Sequence, residues 1–345
     1  MKSPRSTHAF SYRAGIRIPG TEIICDAPGF PSDLVFLSHA NALAPRGPSE
    51  LAGSRAGRRR LVTTEQTLRL LGDLGAKLRE GALPAAFGRP FNLGTHRLEV
   101  VPTGYIPGAA ALLCETDARR VFYLGSFCPE ALVEGVEPAE TRHADAVCID
   151  TTFADPDFHA PPRMQVIAQV RAFALETLRE GGHVALLASP FGALPAVVLE
   201  LARAGLAMRA HRRIAAVLAR MRLLCESLPA IPRFAGKLEG GEILLWPPEA
   251  RNAASLAALG DVRLALVSGR ASDPGILAAT RLPRGFALTN MPSFPEIVSA
   301  IEATGAREVA LFHGPAETVA AVLRERGLDA YALGPPRQMN LPGER

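Results

Sequence analysis

No apolar run in this 345-residue sequence approaches the roughly 20 residues that a membrane-spanning helix requires. The start, Met1-Lys2-Ser3-Pro4-Arg5, leads into no apolar stretch, which argues against a secretory leader. Cysteine is scarce: Cys25, Cys114, Cys128, Cys148 and Cys225 are odd in number, widely spaced and mostly set in apolar segments. That usage predicts reduced, buried thiols and a cytoplasmic location, and with no Cys-x-x-Cys pair nothing points to a structural zinc. Internal repeats and low-complexity tracts are absent. So are a Gly-x-Ser-x-Gly elbow, a P-loop and a Gly-x-Gly-x-x-Gly turn opening a helix, which sets aside three familiar routes to hydrolysis or nucleotide binding.

What is present reads as globular. The chain is 48% hydrophobic and 21% charged, and its length suits two domains or one with a large insertion. A net charge of +4 permits nucleic-acid binding without establishing it. Arginines gather at Arg46, Arg55, Arg58, Arg59, Arg60 and Arg69. The Arg58-Arg59-Arg60 triplet is a candidate phosphate contact, with a solvated loop as the alternative.

The first half alternates short β-runs with turns. Gly15–Ile18 and Glu22–Cys25 flank Pro19-Gly20, which suits a hairpin, and Leu34–Leu37 reads as a buried strand. Thr64–Leu78 has a helical period, with Leu68, Leu71, Leu74 and Leu78 near one face. Further strands are expected at 98–101, 110–114, 121–124 and 146–149, as for one half of a β-sandwich. After Pro161-Pro162 the texture changes to alternating helix and strand. Helices are expected at 164–180, 194–204 and 215–224, with strands at 183–188, 208–214, 242–246 and 262–267, which predicts a parallel sheet. The end reads strand 285–289, helix 295–304, strand 308–312, helix 316–325 and strand 330–333.

Several strand ends carry polar residues. Ser38-His39-Ala40-Asn41-Ala42-Leu43-Ala44 follows the run ending at Leu37; Asp150-Thr151-Thr152-Phe153 and Ala310-Leu311-Phe312-His313-Gly314 end later ones. Read by themselves, His39 suits a hydrogen bond to a backbone carbonyl, Asp150 a brace for its loop through the threonine hydroxyls, and His313 a turn. Asp155, Asp157 and His159 lie close in sequence, but their loop is interrupted by proline, a poor setting for a metal site.

Together these stretches resemble the β-CASP branch of the metallo-β-lactamase superfamily, nearest its bacterial ligase-associated DNA exonuclease group. The likeness runs through Ile24-Cys25-Asp26-Ala27, whose Asp26 matches the brace of the active-site loops, and through Ser38-His39, the start of the family's His-x-His-x-Asp-His motif. Thr103-Gly104-Tyr105 matches a Gly-His segment, Gly125-Ser126-Phe127 a Gly-Asp-Phe segment, Asp150-Thr151-Thr152-Phe153 the acidic motif before the β-CASP insertion, Leu288-Thr289-Asn290-Met291 a Leu-Ser-Asp-His segment, and His313-Gly314 the closing His-Gly.

The resemblance implies an α/β fold: an αββα metallo-β-lactamase sandwich from residues 1–162 and 284–345, with a β-CASP α/β domain inserted over 163–283. It also implies what is missing. Active relatives use two zinc ions, yet here Asn41, Leu43, Ala44, Tyr105 and Ser126 stand at ligand positions, and Met291 stands where the catalytic histidine belongs. Leu and Ala cannot donate a lone pair, an amide is a poor zinc ligand, and Met cannot transfer a proton. Asp26, His39, Asn41, Tyr105, Ser126, Asp150, Met291 and His313 thus read as a vestigial site with no catalytic residue, no metal ligand set and no cofactor.

The expected function is a silent nuclease-like protein in nucleic-acid processing or repair, binding nucleic acid or scaffolding a partner. Single-stranded DNA or RNA, a helicase, a ligase or an active nuclease paralogue are the partners to expect, and no membrane. The alternative is an active metal-dependent exonuclease, or another hydrolase, with a rebuilt metal site. Loss of the charged ligands further predicts that Leu43 and Ala44 pack against Tyr105 and close the void.

Overall fold

The computed structural model describes residues 8–13, 15–27, 34–43 and 60–334. The first described strands are β1 (Ser11–Tyr12), β2 (Ile16–Arg17) and β3 (Ile23–Cys25), antiparallel neighbours, with β2 and β3 joined at the Pro19-Gly20 turn as the sequence predicts. β4 (Leu34–Phe36), β5 (Arg60–Thr63) and β6 (Ala82–Pro84) extend them in parallel into a six-stranded sheet. Between β5 and β6 the expected single helix is two, α1 (Glu65–Leu71) and α2 (Asp73–Leu78). Thr64 caps α1 by accepting from the Thr67 amide, and Gly72, at φ 65°, turns the chain where a continuous helix cannot go.

A second sheet of seven strands follows: β7 (Phe91–Leu93), β8 (His96–Pro102), β9 (Ala110–Glu115) and β10 (Arg120–Gly125), all antiparallel, then β11 (Ala146–Asp150) in parallel. The chain next builds a separate, wholly parallel sheet of five strands. Its members are β12 (His183–Leu187), β13 (Met208–Ala210), β14 (Ile243–Trp246), β15 (Val262–Val267) and β16 (Arg284–Phe286), in the order β13-β14-β12-β15-β16. Helices α3 (Arg163–Arg179), α4 (Leu194–Arg203), α5 (Arg212–Arg222), α6 (Ala254–Ala257) and α7 (Pro274–Thr280) are interleaved with them. β13 stops short of the expected Ile214 because the His211 ring accepts from the Arg213 amide and caps α5. The strand expected through Thr289 ends at Phe286, paired in the five-stranded sheet. α8 (Phe294–Thr304), β17 (Glu308–Phe312), α9 (Ala316–Glu325) and β18 (Asp329–Leu333) then return to the seven-stranded sheet, where β17 lies beside β11.

Burial explains the layers. One face of each large sheet enters a shared core, Phe36 and Val62 meeting Val100, Leu112, Tyr123 and Phe312. The outer face of the seven-stranded sheet is covered by α8 and α9 through Ile297, Val319 and Leu323, and that of the six-stranded sheet by Leu68 of α1 against Val35 and Leu61. The result is helix, sheet, sheet, helix. In the parallel sheet the period of two sorts β12 onto both faces, Val184 and Leu186 toward α3 and α4, Ala185 and Leu187 toward α6. All five cysteines are buried and unbridged, and among the described residues no helix is long and apolar enough to cross a membrane. Among the described residues the molecule is a mixed α/β structure with three sheets.

Candidate functional site

Parallel strands deliver whatever follows them to one edge of their sheet, the usual place for a cleft. Here β4 delivers His39, β10 Ser126, β11 Asp150 and β17 His313, while β12 and β15 of the other sheet deliver Ser189 and Ser268. Between them is a cavity of about 1190 Å³ lined by Asp26, His39, Asn41, Tyr105, Ser126, Asp150, Met291 and His313 together. Asn290 lines it as well. Arg60 instead lies exposed at the start of β5, and Arg58, Arg59 and Ala44 lie outside the described residues.

The polar side chains on this wall are engaged with one another. Asp26 accepts from the Ser38 amide (2.8 Å), the Ser38 hydroxyl (2.5 Å) and the buried Tyr123 hydroxyl (2.7 Å). These bonds hold Asp26 at φ 48°, a left-handed conformation that side chains other than Gly seldom adopt. The Asn41 amide donates to the Tyr105 hydroxyl at 2.9 Å, and Asn290 donates to the Tyr105 carbonyl at 2.6 Å. His39 accepts from the Ala42 amide through Nδ1 at 3.0 Å and stands edge-on to Tyr105. Its partner is thus a backbone amide, not the backbone carbonyl that the sequence led us to expect. Burial lowers the His39 pKa and keeps the ring neutral, and burial pushes the Tyr105 phenol well up.

Asp150 is the hub of the opposite side. One carboxylate oxygen accepts from the Thr152 amide and hydroxyl at 2.9 and 2.6 Å. The other meets the Ser126 hydroxyl at 2.9 Å and His313 Nδ1 at 3.2 Å. Burial alone pushes this carboxyl up, but the bonds from His313 and Thr152 outweigh it and hold it below its ordinary range. Reciprocally, the hydrogen bond to Asp150 raises the His313 pKa. His313 sits at φ 62°, its carbonyl accepting from the Thr151 hydroxyl at 2.6 Å, and 67% of its side chain is open to the cleft.

Zinc, which the family likeness brings to mind, does not fit this donor set. Both Asp150 oxygens are taken, His39 spends Nδ1 on a backbone amide, and Asn41 turns its amide donor toward Tyr105. Among the described residues no group of three or more His, Cys, Asp and Glu is placed to hold a metal ion. For Leu43 the expected filling of the void does not occur, and Ala44 lies outside the described residues. Leu43 turns into the cluster of Val35, Leu37, Leu61 and Leu68, away from Tyr105, because the strand face behind it supplies apolar partners. The cavity stays open, and Asp26, Asn41, Tyr105, Ser126, Asp150 and Asn290 on its wall are hydrogen-bonded to protein groups.

Three contributors were not among the expected site residues, although Phe153 closes the Asp150-Thr151-Thr152-Phe153 motif. Arg163, the first residue of α3, donates to both oxygens of Glu296 and to the Thr289 and Met291 carbonyls, clamping the segment that carries Asn290 and Met291. Phe153 and Arg270 line the cavity from the loops after β11 and β15. The available signal was the position of Ser268-Gly269-Arg270 directly after a buried parallel strand.

No protein-family model matches the chain. It is similar to a protein named probable DNA ligase from Opitutus terrae, 28% identical over 316 residues, which is 90% of this chain and 30% of that protein. The chain therefore spans less than a third of the length of the relative it matches.

Proposed function

We propose that this chain is a β-CASP-type protein of the metallo-β-lactamase superfamily whose di-zinc site has been erased, and that it serves DNA processing without hydrolysing nucleic acid. The observation that carries this reading is convergence. Asn41, Tyr105, Ser126 and Met291 come from four separate segments and line one cavity, and their polar groups are spent on one another or on Asp150. A site that activates water needs metals held by several free ligands and a group that can move a proton. The four-layer sandwich built from both parts of the chain, with a parallel α/β unit between, favours the same family.

The DNA context rests on the ligase-named relative. Most of that protein lies outside the match, so this chain corresponds to a module that accompanies the rest. The domain division follows the family plan: 1–162 and 284–345 for the sandwich and 163–283 for the insertion, with β16 extending the insertion to Phe286. In a cytoplasmic setting, the module holds single-stranded DNA or RNA in its cleft, or scaffolds a helicase, ligase or active nuclease.

Metal content of the purified chain, measured by mass spectrometry, is expected to be well below one ion per chain. Single-stranded substrates are expected to survive incubation with added zinc or manganese. Two metals per chain together with degradation of those strands, lost on substituting His39, Asp150 or His313, would sink the proposal in favour of a rebuilt hydrolase.

A further inference from the structure

The cavity just described continues into a second of about 980 Å³. The two meet at a neck lined on both sides by Phe153, Gly269, Arg270, Thr289, Met291 and His313. Its walls come from both units: Phe153 and His313 follow β11 and β17, and Arg270 follows β15 of the parallel sheet.

Two features of the neck bear on what it can hold. The exposed Arg270 side chain makes no ion pair with any described residue, although carboxylates are close at hand. Those carboxylates are committed elsewhere. Asp150 is paired with His313 and Glu296 with Arg163, while Asp155 and Asp273 accept backbone amides of their own turns. The second feature is Phe153, whose ring lies against the backbone of Gly269. A Cβ at 269 would stand 2.5 Å from the Phe153 ring, so only Gly allows the ring this seat. A half-buried aromatic ring and an uncommitted guanidinium therefore face one passage.

We propose that this neck is a grip for one nucleotide of a single strand, with Arg270 on a backbone phosphate and Phe153 stacked on a base. The proposal rests on the nucleic-acid-binding arm of the function given above, and it moves the contact from the Arg58–Arg60 triplet to the cleft. Aromatic rings beside an arginine suit single strands because an unpaired base exposes its face, whereas a duplex hides it. The acidic groups beyond the neck, Glu130, Asp155 and Asp273, line only the second cavity and limit the electrostatic contact to the neck itself.

The test uses the full chain, a fluorescently labelled oligo-dT and a duplex of equal length, with affinity measured by anisotropy over a salt series. Arg270→Ala is expected to weaken oligo-dT binding about tenfold and to flatten the slope of log affinity against log salt by ~0.7, the share of one phosphate on a single strand. Phe153→Ala is expected to weaken binding at least about fivefold with the slope unchanged. Phe153→Leu, which keeps the apolar contact with Gly269 and removes only the π-face, is expected to behave like Phe153→Ala and so covers a folding defect in the latter.

Binding in which both Arg270→Ala and Phe153→Leu match the parent overturns the grip. If the slope falls instead with Arg58, Arg59 and Arg60 changed to Ala, the grip fails while the nucleic-acid reading stands. A parent chain that binds neither oligo-dT nor duplex at low salt overturns both. Equal affinity for duplex and single strand also overturns the grip.

Discussion

At the scale of single residues, the cleft wall is a study in mutual satisfaction. Asp26 holds a left-handed backbone only because three donors converge on its carboxylate, one of them the fully buried Tyr123 hydroxyl. Asp26→Ala strands those donors, and urea denaturation is expected to show a loss of about 3 kcal/mol. Tyr123→Phe removes one donor and leaves two, with an expected loss of about 1 kcal/mol. The Asp150–His313 pair makes a pH prediction. The raised His313 pKa contributes stability present below the unfolded histidine pKa and lost as pH rises through the folded value. The lowered Asp150 pKa contributes stability present above the unfolded aspartate pKa and lost as pH falls through the folded one. The pair's benefit is therefore greatest between about pH 4 and about pH 6.5. With His313 mostly exposed, the difference in unfolding free energy between the parent and His313→Ala is expected to peak there and to stay below about 1 kcal/mol.

Secondary-structure elements show where local signals compete. The stretch 64–78 has the apolar period of one helix, yet Gly72 breaks it and α2 folds back until Gly75 touches the Leu68 carbonyl of α1. A Cβ at 75 would stand 1.8 Å from that oxygen, so Gly75→Ala must push the two helices apart. An expected loss of about 3 kcal/mol, with helical circular dichroism retained, distinguishes this packing clash from failure of the helices to form. α8 illustrates agreement between levels. Ser293 and Glu296 form a capping box, Pro295 stands in the first turn, and Gly305 closes the helix at φ 69°. Glu296 also receives the Arg163 fork, so one carboxylate serves the helix end and the contact between the two units.

For the whole molecule, the consequence is an open cleft with a polar lining that holds, among the described residues, no group of three or more metal-ligating side chains. Ligand binding to the native state alone raises thermal stability by mass action. Zinc at micromolar excess is therefore expected to leave the melting temperature of this chain unchanged, read by differential scanning fluorimetry beside a chelator control. A zinc-dependent rise that disappears in His39→Ala would count against the erased-site proposal.

Much of this architecture was legible in the residues. Strand and helix periods, the Pro19-Gly20 turn, the change of texture after Pro162 and the alternation beyond it are local signals, and they located most elements to within a few positions. The odd, scattered cysteines likewise matched the buried, unbridged thiols. The polar residues from Asp26 to His313 follow recognisable apolar strands, and the structure gathers them around one cavity. What residues far apart in sequence do together was not legible. The turning of Leu43 into the core behind its strand, the open cavity, the Arg163 clamp and the neck between Phe153 and Arg270 depend on which strand ends the sheets bring side by side. Sequence by itself determined which polar residues stand at which strand ends; only the tertiary structure decided what lies between them, because hydrogen bonds among Asn41, Tyr105, Ser126 and Asp150 close across segments that no local pattern connects.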